Sequence, residues 1–161
     1  MELLHDHAPD VETFAAFVDR IEPGLRRSLV ATYGPVDGRE ATVEALSWAW
    51  EHWDRLSAIN NESAYLYRVG QSSVRRFAAT AVAPKFPQAI TDELRDIEPG
   101  LLPALESLSP QQRAVVLLVH AHGWSQAEVG RMLGINPSTV REHLNRAMTR
   151  LRDQLEVNDA N

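Results

Sequence analysis

Cysteine is absent from all 161 residues, so neither disulfides nor thiolate zinc sites can hold this fold together, and a reducing compartment suits the chain. No apolar run is longer than Ala114 to Val119, far short of the roughly 20 residues that cross a bilayer. The opening Met1-Glu-Leu-Leu-His-Asp-His has neither a basic segment nor an apolar core, so no export signal is expected. A soluble, cytoplasmic protein without a membrane span is the expectation. Strand-type alternation, internal repeats and low-complexity tracts are also missing. So are a Gly-rich phosphate loop and a nucleophile elbow, which argues against an enzyme and against any cofactor. His5 and His7, like His120 and His122, stand two apart, where helical side chains point to different sides, and no third ligand is near in sequence. No metal site is expected.

What is present is helical periodicity. Val11 to Tyr33 carries Phe14, Phe17, Val18, Ile21, Leu25, Leu29 and Val30 at spacings of three and four, with Pro23-Gly24 as an interruption that would bend or break the helix. Gly34-Pro35-Val36-Asp37-Gly38 reads as a turn. Arg39 to Leu56 is predicted as a second long helix with Val43, Leu46, Ala49, Trp50 and Trp53 inward, while Trp48 points elsewhere as a candidate contact residue. Ile59-Asn60-Asn61-Glu62 breaks the pattern, and a third helix runs from Ser63 to about Thr80 with Leu66, Val69, Ser73 and Phe77 inward. Prolines at 84, 87 and 99 bracket an acidic segment that composition marks as a flexible linker. The fold class is therefore all-α: two small helical domains, residues 1–82 and 101–161, joined by a linker over 83–100.

The back half carries the most informative pattern. Leu101 to Leu108 and Gln111 to His122 are two helices, with a cap at Ser109-Pro110 between them. Ser125 and Glu128 then form a capping box, Gly134 ends the helix they start, and Asn136-Pro137 opens the next. Val129, Met132, Leu133, Ile135, Val140 and Leu144 fall where a helix-turn-helix needs apolar contacts between its arms. Ser138, Thr139, Arg141, Glu142, Asn145 and Arg146 remain outside, and Arg150 follows them: donors and acceptors that suit base edges and phosphates. His143, on the same helix, suits either a phosphate contact or packing. From Ser109 to Arg152 six arginines stand against two glutamates, whereas residues 1–108 hold ten basic and seventeen acidic side chains, within a chain of net charge −6. One basic unit on an acidic protein is poorly suited to coating nucleic acid indiscriminately, so binding should depend on local contacts or on a partner.

The segment Leu105-Glu-Ser-Leu-Ser-Pro-Gln-Gln-Arg-Ala-Val-Val-Leu-Leu, followed by Gly123-Trp-Ser-Gln-Ala-Glu-Val-Gly-Arg-Met-Leu-Gly-Ile-Asn-Pro-Ser-Thr-Val-Arg, resembles region four of bacterial extracytoplasmic-function sigma factors. Asp37-Gly-Arg-Glu-Ala-Thr-Val-Glu-Ala-Leu-Ser-Trp-Ala-Trp and Ala64-Tyr-Leu-Tyr-Arg-Val-Gly-Gln-Ser resemble two helices of their region two. The resemblance implies a transcription initiation factor with core RNA polymerase and promoter DNA as partners, and an anti-sigma factor as a further partner typical of the family. It implies minus-thirty-five recognition by Ser138, Thr139, Arg141, Glu142, Asn145, Arg146 and Arg150. Polymerase docking would fall to Glu40 and Glu44, one turn apart on a helix face. Promoter melting would fall to Tyr65, Tyr67, Arg68, Gln71, Ser72, Arg75 and Arg76, which combine stacking rings with cations. Two departures, Arg39-Glu40 in place of an acidic pair and Ser72 in place of an asparagine, keep other readings open. These are a sigma-like DNA-binding regulator and an anti-sigma-titrating mimic, neither with melting activity.

Overall fold

In a computed structural model, residues 12–78 and 100–159 are described, and all regular structure among them is helical. The linker over 83–99 and the histidines at 5 and 7 lie outside the described residues. The first helix, α1 (Phe14–Tyr33), starts at Thr13, whose hydroxyl accepts the Ala16 N–H at 3.2 Å. It runs unbroken through Pro23-Gly24, contrary to the interruption predicted there. Packing on both flanks outweighs the one backbone donor that Pro23 removes, and Gly24 has a use of its own. A Cβ at Gly24 would stand 3.0 Å from Met132 Cε and 3.6 Å from the Trp124 ring, so the glycine is a notch that admits both side chains.

The predicted turn at 34–38 shrinks to a single pivot. Gly34, at φ 85°, donates to the Val30 carbonyl at 2.8 Å. Pro35, its φ already helical, begins α2 (Pro35–Glu51) four residues earlier than the periodicity indicated. At Gly38 a Cβ would lie 2.5 Å from the Val30 backbone, which leaves no room for a side chain where the two helices cross. The inner face of α2 is correspondingly small: Gly38, Ala41, Thr42, Ala45 and Ala49.

Val43 and Trp50, predicted inward, are therefore corrections. They are 62% and 64% exposed, and with Val36 at 56% they form an outward stripe at seven-residue spacing. Small residues let backbones approach, and the bulky ones were left to the outside. Trp53 does turn in, from the short α3 (Trp53–Leu56), with its ring 5.1 Å from that of Phe17. Trp48 is half-buried, stacked on His52 at 4.3 Å and tilted against Tyr65 at 5.0 Å. Asn61 caps α4 (Glu62–Ala78) by accepting the Ala64 N–H at 3.1 Å.

In the back half, α5 (Leu101–Ser107) is followed by α6 (Pro110–Val116), which opens on a complete capping box between Ser109 and Gln112. One wide π-type turn, Leu117–Ala121, extends it. The remaining pair is α7 (Gln126–Leu133) and α8 (Pro137–Asp159).

Helix α1 is covered from two directions. Helices α2 and α4 pack against it, and so do α6, the π-type turn and α7 from the back half. One apolar core therefore passes through both halves, joining Phe17, Leu25, Leu29, Leu56 and Leu66 to Ala114, Val115, Leu118, Val129, Leu133 and Val140. A smaller core, with Leu105, Leu108, Val116, Ala147 and Leu151, holds α5, α6 and α8 together. Polar groups thread the larger one. Buried Thr32 donates its hydroxyl proton to the Ser28 carbonyl at 2.7 Å, so the Tyr67 hydroxyl, also at 2.7 Å, must be the donor to Thr32 Oγ1. The Thr32 carbonyl accepts from the buried Arg113 guanidinium at 3.3 Å. Burial pushes the Tyr67 phenol up to about 12 and draws the Arg113 guanidinium below its ordinary value.

Tyr67→Phe should thus cost about 1 kcal/mol of stability in urea titration, the value of a typical buried hydrogen bond. Gly38→Ala should cost more, because backbone rather than a yielding side chain blocks the new methyl.

Candidate nucleic-acid interface

The two arms of the helix-turn-helix are set by local hydrogen bonds. Ser125 Oγ accepts the Glu128 N–H at 3.2 Å, and the Glu128 carboxylate accepts the Ser125 N–H at 2.7 Å. Those bonds hold the Glu128 carboxyl below its usual range. The box therefore contributes fully above the ordinary carboxyl value and is lost as pH falls through the lowered one. Gly134 ends α7 in the left-handed conformation at φ 68°, ψ 35°. The turn is then drawn back on α7: Ile135 N–H donates to the Gly130 carbonyl at 2.9 Å. A Cβ on Gly130 would lie 2.7 Å from the Ile135 carbonyl oxygen, so the turn sits directly on the glycine backbone. Sequence reasoning overlooked Gly130, although a glycine in mid-helix without a capping role is itself a signal of close approach.

Val129, Met132, Leu133 and Val140 are buried between the arms, and Ile135 and Leu144 are half-buried beside them, as the spacing predicts. On α8, Ser138, Arg141, Glu142, Asn145, Arg146 and Arg150 are exposed, and Thr139 is half-buried. Glu142 and Arg146 form an ion pair one turn apart, and Thr149 Oγ1 donates to the Asn145 carbonyl at 3.1 Å. Thr149 and Asp153 line the same shallow recess as Asn145, Arg146 and Arg150, so the face extends past the residues picked out by sequence. His143 is half-buried, and its Nδ1, itself buried, finds no hydrogen-bond partner among the described residues. This favours the packing reading of that ring over phosphate contact.

The candidates on α4 divide. Arg68, Ser72, Arg75 and Arg76 are exposed, and Tyr65 is partly so. Tyr67 is 2% exposed, so its ring belongs to the core in this arrangement and is not open to stacking. Gln71 is half-buried beside the Tyr33 and Tyr67 phenols. Five of the seven thus share a solvent face. Glu40 and Glu44 are both exposed on α2, on the side that also carries Val36, Val43 and Trp50. Among the described residues, no group of His, Asp and Glu could hold a metal, and no helix is long and apolar enough to cross a membrane.

Residues 101–151 match the family described as Sigma-70, region 4. The chain is 31% identical over 136 residues to the RNA polymerase sigma-E factor of Streptomyces antibioticus, covering 78% of this chain and 74% of that one. It is 29% identical over 133 residues to the protein of the same name in Streptomyces coelicolor, covering 78% and 75%. In structure it is similar to the sigma factor RpoE of Bartonella quintana, solved in complex with the anti-sigma factor NepR. The TM-score is 0.56 at 21% identity, covering 89% of this chain and 97% of that one.

Alanine at a helix-interior glycine ordinarily stabilises by up to about 1 kcal/mol. Gly130→Ala should do the opposite, losing about 1–3 kcal/mol by overpacking against the Ile135 carbonyl. Thermal unfolding of the variant, followed by circular dichroism, measures the sign directly.

Proposed function

The chain belongs to the extracytoplasmic-function sigma factors of bacterial RNA polymerase, and we propose a division of its work between two faces. It is a transcription initiation factor, and the reading as a regulator or mimic has no observation in its favour. The observation that carries the proposal is the free outer face of α8, with Ser138, Arg141, Glu142, Asn145, Arg146 and Arg150 all open to solvent. Arg141 and Arg146 would read base edges of the minus-thirty-five element, Glu142 and Asn145 would contact bases beside them, and Ser138, Thr139 and Arg150 would hold phosphates. The Arg146–Glu142 pair is exposed, so exchanging it for a base contact costs little.

The second face lies on the front half. Glu40 and Glu44 with Val36, Val43 and Trp50 give α2 an acidic and apolar surface, which suits docking on core polymerase by charge complementarity around a desolvated centre. Arg68, Ser72, Arg75, Arg76 and Tyr65 would engage the opened minus-ten strand, as cations beside an aromatic ring do. Residues 1–82 and 101–161 then act as separate reading units on the tether 83–100. The chain would supply recognition and leave the chemistry to the polymerase, in the cytoplasm, with an anti-sigma factor competing for its surfaces.

Run-off transcription with core polymerase on a promoter library tests the whole reading: the purified chain should support initiation, and failure on every promoter counts against it. Arg141→Glu or Arg146→Glu should abolish promoter preference in footprinting with helical content intact, a lost bidentate contact being worth about 1–3 kcal/mol. Retention of full preference by both variants would place the reading face elsewhere. Glu40→Lys with Glu44→Lys should weaken association with core polymerase in a titration while leaving the melting temperature nearly unchanged. Adding Val43→Ser should weaken it further.

A further inference from the structure

The outer face of α8 carries an acid that is out of place there. From Pro137 to Arg152 the helix has Arg141, Arg146, Arg150 and Arg152 and a single acid, Glu142. A surface that lies among phosphates is weakened by every carboxylate it holds. Nor is Glu142 at the rim. At about 100° per residue, Ser138, Glu142, Asn145 and Thr149 fall along the middle of the face, with Arg141 to one side and Arg146 to the other, and all six are exposed. Glu142 is also early in α8, in the part of a recognition helix that reaches base edges.

Arg146 Nη2 donates to Glu142 Oε1 one turn away. As a helix stabiliser an exposed pair of this spacing contributes little, and it would contribute as much on a face that never meets DNA. We propose that Glu142 and Arg146 together read one base pair, and that Glu142 restricts it to cytosine–guanine with cytosine on the Glu142 side; this rests on the DNA-reading role given to α8 above.

Entering the groove exchanges the bond between the two side chains for bonds to bases, and each side chain then needs a partner. A carboxylate pressed against another acceptor, away from water, loses far more than the pair contributed. The base pair must therefore offer a donor to Glu142 and acceptors to Arg146. Guanine has two neighbouring acceptors, O6 and N7, on its major-groove edge, the match for a guanidinium fork. Its partner cytosine presents the N4 amino group beside them, a donor for the carboxylate. Side chains one turn apart start about 5–6 Å from each other at Cβ, close enough to converge on one pair.

The other three pairs each fail at a particular atom. With guanine on the Glu142 side the carboxylate meets O6, and with thymine there it meets O4. Adenine on that side supplies a donor, but Arg146 then faces a lone O4 beside a methyl group. Glu142 thus selects by repulsion as much as by attraction, at the expense of general affinity for DNA.

Selection from a randomised duplex library, by the full chain alone and by the chain assembled with core polymerase, gives the preferred upstream element. The wild-type chain should hold one position as cytosine–guanine, and each of the other three pairs there should weaken binding about tenfold or more. Glu142→Ala should lose that preference at that position alone and bind unrelated duplex severalfold more tightly, because a carboxylate facing phosphates is gone. A glutamate that only stabilised the helix would move neither quantity. Arg146→Ala should lose the preference at the same position, and the double variant should lose no more there than the worse single one. Both side chains are exposed, so circular dichroism should show the helices intact. A duplex with 7-deazaguanine at that position, which lacks the N7 acceptor, probes the contact without altering the protein. It should bind the wild-type chain severalfold more weakly and the Arg146→Ala chain no more weakly than before. Unchanged preference in Glu142→Ala, losses at two different positions in the two single variants, or indifference of the wild-type chain to 7-deazaguanine would each overturn the proposal. A chain that selects no sequence, alone or with polymerase, overturns it together with the reading role of α8. A chain that requires the cytosine–guanine pair yet supports no run-off transcription fails the initiation-factor reading alone.

Discussion

The burial of α1 is the constraint from which the rest of the arrangement follows. Phe17, Ile21, Leu25 and Leu29 run along it, and all four are in the core. Burying a side chain of that size contributes about 1.5–3 kcal/mol. Helices α2 and α4 cover one flank, and α6, the π-type turn and α7 cover another. The helix-turn-helix is accordingly no appendage on a finished front half. Its first arm forms part of the wall that keeps α1 dry, and its second arm is left with an outer face that has no packing duty at all.

Charge follows the same division. The front half is acidic overall and the reading unit basic, yet the ion pairs seen among described residues stay within their own half. Arg20 meets Glu12 and Glu62, Arg26 meets Glu22, and Arg146 meets Glu142. These are exposed pairs of small individual worth. Arg113 is different in kind, a buried cation that spans the halves and points at a helix C-terminus. Burying a guanidinium is costly unless its protons find acceptors, and the Thr32 carbonyl is an acceptor that Arg113 reaches from the other half.

What could be read in advance was whatever is local. The capping boxes at Ser109 and Ser125 and the left-handed glycine at 134 involve residues within a few positions of each other, and the helix boundaries they imply agree with the structure to about a residue. The inner face of α2 could not be read the same way. Weighing positions by bulk put Val43 and Trp50 inside, whereas close crossing at Gly38 selects for alanine and glycine and turns the large side chains outward. Tyr67 looked like a stacking ring because Arg68, Arg75 and Arg76 follow it closely in sequence. Only the placement of Thr32, a residue 35 positions away, shows that its hydroxyl has an internal partner. The contact between Arg113 and Thr32 was invisible for the same reason carried further: nothing around either residue announces a partner so distant in sequence.

That distance matters before the protein exists as a whole. Arg113 follows Thr32 by 81 positions, and a ribosome adding about 5–20 residues per second takes roughly 4–16 seconds to supply it. For that interval α1 has emerged with α2 and α4 following, but the flank destined for α6 and α7 has nothing to lie against. An apolar helix side left uncovered for seconds is available to chaperones and to other nascent chains. During synthesis the same surface that later unites the two halves is therefore the part of the molecule most in need of an escort.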